Sequence, residues 1–368
     1  MKITFLVPRD GRQPIGGFRI VYQYANSLAA KGHRVRVVHA AFVSSGPVGP
    51  LRFMRRHVAE YLFRAATGRW KPDPWFDVDP RVTLAWIPFL APIFVPDSDV
   101  IVATWWRTAE MLAAWPGNKG RKFYLIQHLE TWAGPEARVM ATWRLPLRKI
   151  VIARWLQDIA GELGEDACYI PNGLDFRHFS IDTPPRQRSG THLAMLYHDD
   201  AWKGSGDGLE ALTQARHAVP QLTAELFGVG PPPPSLPDWI RYHRNPPQAE
   251  LRRIYNRAAI FVSPSWAEGW SLPPAESLMC GCALACTDIG GHREYARHGE
   301  TALLSPAKQP AKLAQDILRL IRDENLRLEL ARRGHEFVQQ FTRERAADAF
   351  ETLIRSASTP KQAHSSTP

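Results

Sequence analysis

The sequence predicts an α/β chain of two Rossmann-like domains, on three observations. At 368 residues it is longer than one ordinary core accommodates. Its opening combines the apolar run Ile3 to Val7, the glycine pair Gly16-Gly17, a helical pattern from Phe18 to Lys31 closed by Gly32, and the alternating RVRVVHA. That is a β–α–β unit with glycines at its first turn, where an open parallel sheet receives ligands. A second run of this kind starts at LAMLY (193–197), and a strand, tight loop and short helix follow at 258–281.

Composition narrows the function. Hydrophobic residues make up 45% of the chain, as in globular proteins, and no run of eighteen apolar residues is present. MKITFLVP leads straight into a strand pattern without a small-residue cleavage site, so a cytoplasmic address is expected. The net charge of +10 points to an anionic partner. Basic residues are spread along the chain with no zinc-finger spacing, RNP-like string or long Lys/Arg run, so nucleic-acid binding is the non-enzymatic rival and is not expected. Cys280, Cys282 and Cys286 lie near His292, but CGCALAC would put the first on a helix and the others along a strand, where they would not converge on a metal. Small buried residues are expected there.

The stretch SPSWAEGWSLPPAESLMCG, Ser263 to Gly281, organises the rest. It follows the apolar run AAIFV (258–262) and ends in a glycine, so it reads as strand, loop and helix. Pro273 and Pro274 suit a first helical turn, where a missing N–H is no loss. The backbone N–H groups of Gly269, Trp270, Ser271 and Leu272 then lie beside a helix N-terminus, a cradle for a phosphate or diphosphate. Glu268 and Glu276 bracket the loop with seven residues between them. An acid in the first helical turn can accept two hydrogen bonds from a vicinal diol, and an acid at the loop entrance can face a group carried by the diphosphate.

Along the remaining chain, LRFMRRHVAEYLFRAATGRWK (51–71) is basic and amphipathic, with Leu51, Met54, Val58, Tyr61, Leu62 and Ala65 on one helical repeat. Such a helix packs its stripe on the core or rests on an anionic membrane. Asp77-Val78-Asp79 reads as a solvated turn before the strand RVTLAWI. Val100 to Thr104 and Lys122 to Ile126 read as strands, the second ending in Gln127-His128 at the ligand edge. Ile150 to Leu163 reads as a helix, AELFGVG as a strand and glycine turn, and PPPPSLP as a stiff connector. Residues 251–256, 310–337 and 342–356 read as helices, and 357–368 as a disordered tail.

Pro264-Ser265, Glu268-Gly269, Leu272-Pro273, Glu276 and Cys280-Gly281 together resemble the donor-site signature of glycosyltransferase family 4, whose members are retaining enzymes of the GT-B fold. Gly16-Gly17 with its helix and strand resembles the opening of that family, and YIPNGLDFRHF (169–179) its interdomain link. The resemblance implies domains at 1–170, joined by helix 342–356, and at 171–341, the first for the acceptor and the second for the nucleotide sugar. It implies that Glu268 and His128 lie near the donor sugar, that Glu276 holds the ribose, and that Lys203, ahead of Gly204, meets the diphosphate. Where the family has a second cation, this chain shows Tyr197 and His198, and His198 is a candidate substitute. Where the family has Phe-Gly, it shows Trp270-Ser271, so Ser271 would be strained if positive φ is required. The stretch 124–156, from YLIQHLETW onward, is similar to some bacterial rhamnosyltransferases of cell-surface glycans.

The expected function is metal-independent sugar transfer from a nucleotide diphosphate to a glycan or lipid-linked acceptor. No cofactor is expected, and a peripheral contact with an anionic membrane is a further partner. A sugar phosphorylase or a sugar-nucleotide epimerase would share the fold.

Overall fold

The computed structural model describes residues 1–43, 50–73 and 75–356. The tail at 357–368 and the side chains of residues 50–57, Leu51 and Met54 among them, lie outside the described part.

Short apolar runs become parallel strands, and the helices between them cover both sheet faces, which is why these strands read as continuous apolar blocks. The first half runs β1 (Lys2–Val7), α1 (Gly16–Ala30), β2 (Arg34–Phe42), α2 (Pro50–Thr67), β3 (Thr83–Phe89), β4 (Val100–Ala103), α3 (Trp106–Ala113), β5 (Arg121–Ile126), α4 (Glu136–Thr142), β6 (Arg148–Val151), α5 (Arg154–Glu162) and β7 (Ala167–Tyr169). Its seven strands lie in the order β3-β2-β1-β4-β5-β6-β7.

The second half runs β8 (His192–Leu196), α6 (Ser205–Ala218), β9 (Thr223–Gly228), β10 (Ile240–Arg244), α7 (Gln248–Arg257), β11 (Ile260–Ser263), α8 (Leu272–Met279), β12 (Ala283–Thr287), β13 (Leu303–Ser305), α9 (Pro310–Arg322), α10 (Glu324–Val338) and α11 (Arg343–Ser356). Its sheet order is β10-β9-β8-β11-β12-β13. The two expected Rossmann-like domains are therefore present. In each, the strand order reverses beside the first strand, β1 between β2 and β4 and β8 between β9 and β11, which opens a crevice at the carboxyl edge.

Some elements differ from expectation. Ile150 and Val151 belong to β6, buried between β5 and β7, and the helix starts only at Arg154. A short apolar run has no period that separates strand from helix. The stretch 310–337 is two helices, because the Asp323 carboxylate accepts from Leu326 N and caps a new one. The stripe of α2 is divided: Tyr61 stacks on Trp86, while Leu62 and Phe63 are 56% and 52% exposed.

Helix α11 returns to the first sheet. Phe350 packs on Phe5 and Tyr24, with ring centroids 5.8 and 4.8 Å away, and Lys31 pairs with both Asp348 and Glu351. Outgoing and returning chain meet where Leu174 N donates to Phe341 O at 2.7 Å and Arg343 pairs with Asp175 at 2.8 Å.

Candidate active site

The loop after β11 is held from several sides. The Trp270 indole is buried against Tyr295 and Phe341, which leaves only its backbone to face a ligand. The Tyr295 hydroxyl donates to Ser271 O at 2.9 Å, and Trp155 Nε1 donates to Gly269 O at 3.0 Å. Ser271 has φ of 60°, the positive value anticipated for a position that glycine usually fills. Gly269 is required by proximity: a Cβ there would lie 1.8 Å from the carbonyl oxygen of Gln127, on the opposite sheet. Among the described residues, the N–H groups of Gly269, Trp270 and Ser271 donate to no other backbone group, and they precede the N-terminus of α8 with its two prolines.

Lys203 and Glu268 form the charged centre. Lys203 Nζ lies 2.9 Å from both carboxylate oxygens, and Ser265 Oγ donates to one of them at 2.9 Å. Burial alone would raise the Glu268 pKa, but the Lys203 ammonium and the Ser265 hydroxyl outweigh it and hold the carboxyl below its ordinary range. Lys203 is placed by Gly204, whose φ is +62° and whose Cα packs on the Pro264 carbonyl. The Gly290-Gly291 loop closes the other side, packed on Trp155 and on the Glu268 backbone.

Glu276 lies in the second turn of α8 rather than the first, because the helix already starts at Leu272. It is buried. Tyr255 donates to one oxygen at 3.2 Å, and Arg19 of α1 to the other at 2.5 Å.

The first sheet supplies the facing wall. A Cβ on Gly17 would meet the Gln127 side-chain amide at 3.1 Å, and one on Gly16 would meet Leu272 at 3.7 Å. His128 packs edge-on against Trp132 and Trp155, and its Nδ1 accepts from Glu130 N at 3.3 Å. A neutral ring accepting at Nδ1 carries its proton on Nε2. Burial keeps the His128 pKa below the usual histidine range, and the charge of Glu268 opposes that shift.

The structure thus brings Gly16, Gly17, His128, Lys203, Glu268, Gly269, Leu272 and Glu276 to one cleft. His198 contacts Asp200 in its own loop and Ser205 at the start of α6. Asp77 and Asp79 are held in a turn by Asn26 and Arg81. Cys280 at the end of α8, Cys282 in the turn before β12 and Cys286 in β12 are all buried.

Several site neighbours are absent from the sequence reading. Glu130, at φ 63°, accepts from Trp106 N, and burial pushes its carboxyl up to about 8. Trp132 stacks on Trp202 at 5.1 Å across the cleft. Arg19 did carry a signal: a cation in the opening turns of a helix opposes the helix dipole and calls for a partner.

Residues 235–337 match the family described as glycosyl transferases group 1. Together with the two facing parallel-sheet domains, this match supports the glycosyltransferase class. The chain has the GT-B fold. It is 32% identical to a D-inositol 3-phosphate glycosyltransferase of Frankia alni over 34% of this chain and 28% of that one. It is 24% identical to the phosphatidyl-myo-inositol mannosyltransferase of Mycobacterium tuberculosis over 93% of each. Among solved structures, the GT-B chain is similar to sucrose-phosphate synthase from Thermosynechococcus elongatus, with TM-score 0.72, 18% identity, and 98% and 100% of the two chains covered. It is also similar to Anabaena Alr3699/HepE in complex with UDP and glucose, with TM-score 0.71, 15% identity, and 97% and 100% covered.

Proposed function

We propose that this protein is a glycosyltransferase that moves a sugar from a nucleotide-diphosphate donor to a glycan or lipid-linked acceptor with retained configuration, as its resemblance to family 4 implies. The observation that carries the proposal is the Lys203–Glu268 pair beside the N–H groups of Gly269 to Ser271, which donate to no other backbone group among the described residues and face Gly16-Gly17 across the cleft. In this reading, residues 171–341 hold the donor, and residues 1–170 with helix 342–356 hold the acceptor.

The diphosphate rests on the loop N–H groups and the N-terminus of α8. Lys203 meets the charge that grows on the departing phosphate oxygen, so neither a metal nor a cofactor is required. Glu268 and the Nε2–H of His128 orient the donor sugar, and Glu276 accepts from the ribose. The UDP complex of HepE and the mannosyltransferase relative support a nucleotide-sugar donor and a lipid-linked acceptor.

The exposed Leu62 and Phe63 of α2, with Arg69 over the Phe63 ring, support a peripheral contact with an anionic membrane. No helix among the described residues is long and apolar enough to cross a membrane. In this reading the enzyme works in the cytoplasm, and the membrane contact is at the inner face.

A thermal-shift screen against UDP, GDP, ADP and dTDP tests the proposal. One nucleotide should raise the melting temperature selectively, by mass action. Stabilisation by none of them, with salt-sensitive oligonucleotide binding instead, would overturn it. In folded protein, Glu276→Ala should weaken the best nucleotide by about 1.5–3 kcal/mol. Turnover should persist in EDTA.

A further inference from the structure

Glu276 is engaged from both halves of the molecule. Its Oε1 accepts from Arg19 Nη1 at 2.5 Å, and its Oε2 accepts from Tyr255 at 3.2 Å. The Arg19 and Glu276 side chains are 14% and 4% exposed, so the pair is largely out of water. An ionised carboxylate offers about four acceptor positions, two on each oxygen. Arg19 and Tyr255 use one on each. One remains on each oxygen, a pattern that suits two adjacent hydroxyls. Arg19 Nε is buried and has no hydrogen-bond partner among the described residues, so one more donor stands at the same place. A hydroxyl that donates to Glu276 can accept from this N–H, because oxygen does both.

The guanidinium is held from behind by the Phe179 ring, 5.6 Å from its carbon. It also stands where the helix dipole of α1 disfavours a cation, so Glu276 is what keeps it there.

Resting on the assignment of Glu276 to the ribose, we propose that Arg19, from the opposite domain, is a specificity-determining residue. It fixes the Glu276 carboxylate and completes a site for the 2′,3′-diol of a ribonucleoside diphosphate. The site then selects ribonucleotides over nucleotides that lack these hydroxyls, and it is complete only when the two domains face each other as they do here.

The test is calorimetry with UDP, GDP and ADP and the 2′,3′-dideoxy form of each, on the full chain and on Arg19→Ala, Arg19→Lys, Arg19→Gln and Glu276→Gln. The wild type should prefer the ribose form. Arg19→Ala should shrink that preference about tenfold, with dideoxy affinity unchanged, and Arg19→Lys should restore part of it. Arg19→Gln keeps a neutral donor and serves if the alanine variant does not fold; it too should lower the preference. Equal weakening of both forms by the Arg19 variants would make Arg19 a brace between domains and overturn the proposal, while a preference lost in Glu276→Gln would leave the ribose assignment standing. A preference unchanged in Glu276→Gln would overturn that assignment and this proposal with it.

Discussion

The loop from β1 to α1 and the loop from β11 to α8 both join a strand to a helix at the cleft, yet they are built differently. At the end of the first, Gly16 and Gly17 open α1 with ordinary backbone angles and face the ends of side chains, Leu272 and Gln127. Those neighbours can yield. In the second, Gly269 faces a backbone carbonyl, Ser271 holds a positive φ, and Trp270 is anchored in the core. Nothing there yields without moving a whole element. A glycine pair in the sequence therefore marks the compliant side of the cleft, and the loop with one glycine is the rigid one.

Four substitutions test that contrast. The largest effect is expected from Gly269→Ala, because its Cβ would fall 1.8 Å from Gln127 O and force the loops apart. A loss of roughly 3 kcal/mol is expected in urea unfolding, the upper end for overpacking, and an unchanged midpoint would show that the second loop is as compliant as the first. Lys203→Ala is next: kcat should fall roughly 10²-fold while donor KM moves less, since a fixed cation acts most where charge develops. If only KM rises, Lys203 is a uniform binding contact and His198 becomes the leaving-group candidate.

Ser271→Gly should stabilise the protein by roughly 1 kcal/mol, because a side chain no longer occupies a left-handed backbone position. A destabilised variant would show that Ser271 is not strained. Smallest is Gly17→Ala, where the Gln127 amide must shift by a few tenths of an ångström; a change within about 0.5 kcal/mol is expected. A loss comparable to that of Gly269→Ala would remove the contrast.

What the sequence made legible follows from the same physics. The strands were readable because both faces of each sheet are covered, and the β11–α8 unit because its prolines and glycines have local causes. The extra residue that moves Glu276 out of the first turn is hidden in the sequence because Leu272, not Pro273, opens α8. Ile150 and Val151, the end of β6, read as helix because RKIV is too short to show a period. Trp270 was named for the site, but an indole between Tyr295 and Phe341 depends on residues distant in the chain. The Arg19 pairing depends on a domain contact that no local pattern encodes.

The return of α11 bears on the order of synthesis. Phe5 and Tyr24 emerge from the ribosome early, but the ring that packs on them, Phe350, emerges after the whole second sheet. The first sheet can pair its strands as it emerges, yet part of its apolar face stays uncovered until α11 arrives. Because outgoing and returning chain are joined at Leu174 and Phe341, one cut between the domains would leave the second strand of the hinge in place. A nascent chain arrested before Phe350 should expose that face to chaperones, and a chain arrested after Ser356, once clear of the ribosome, should not.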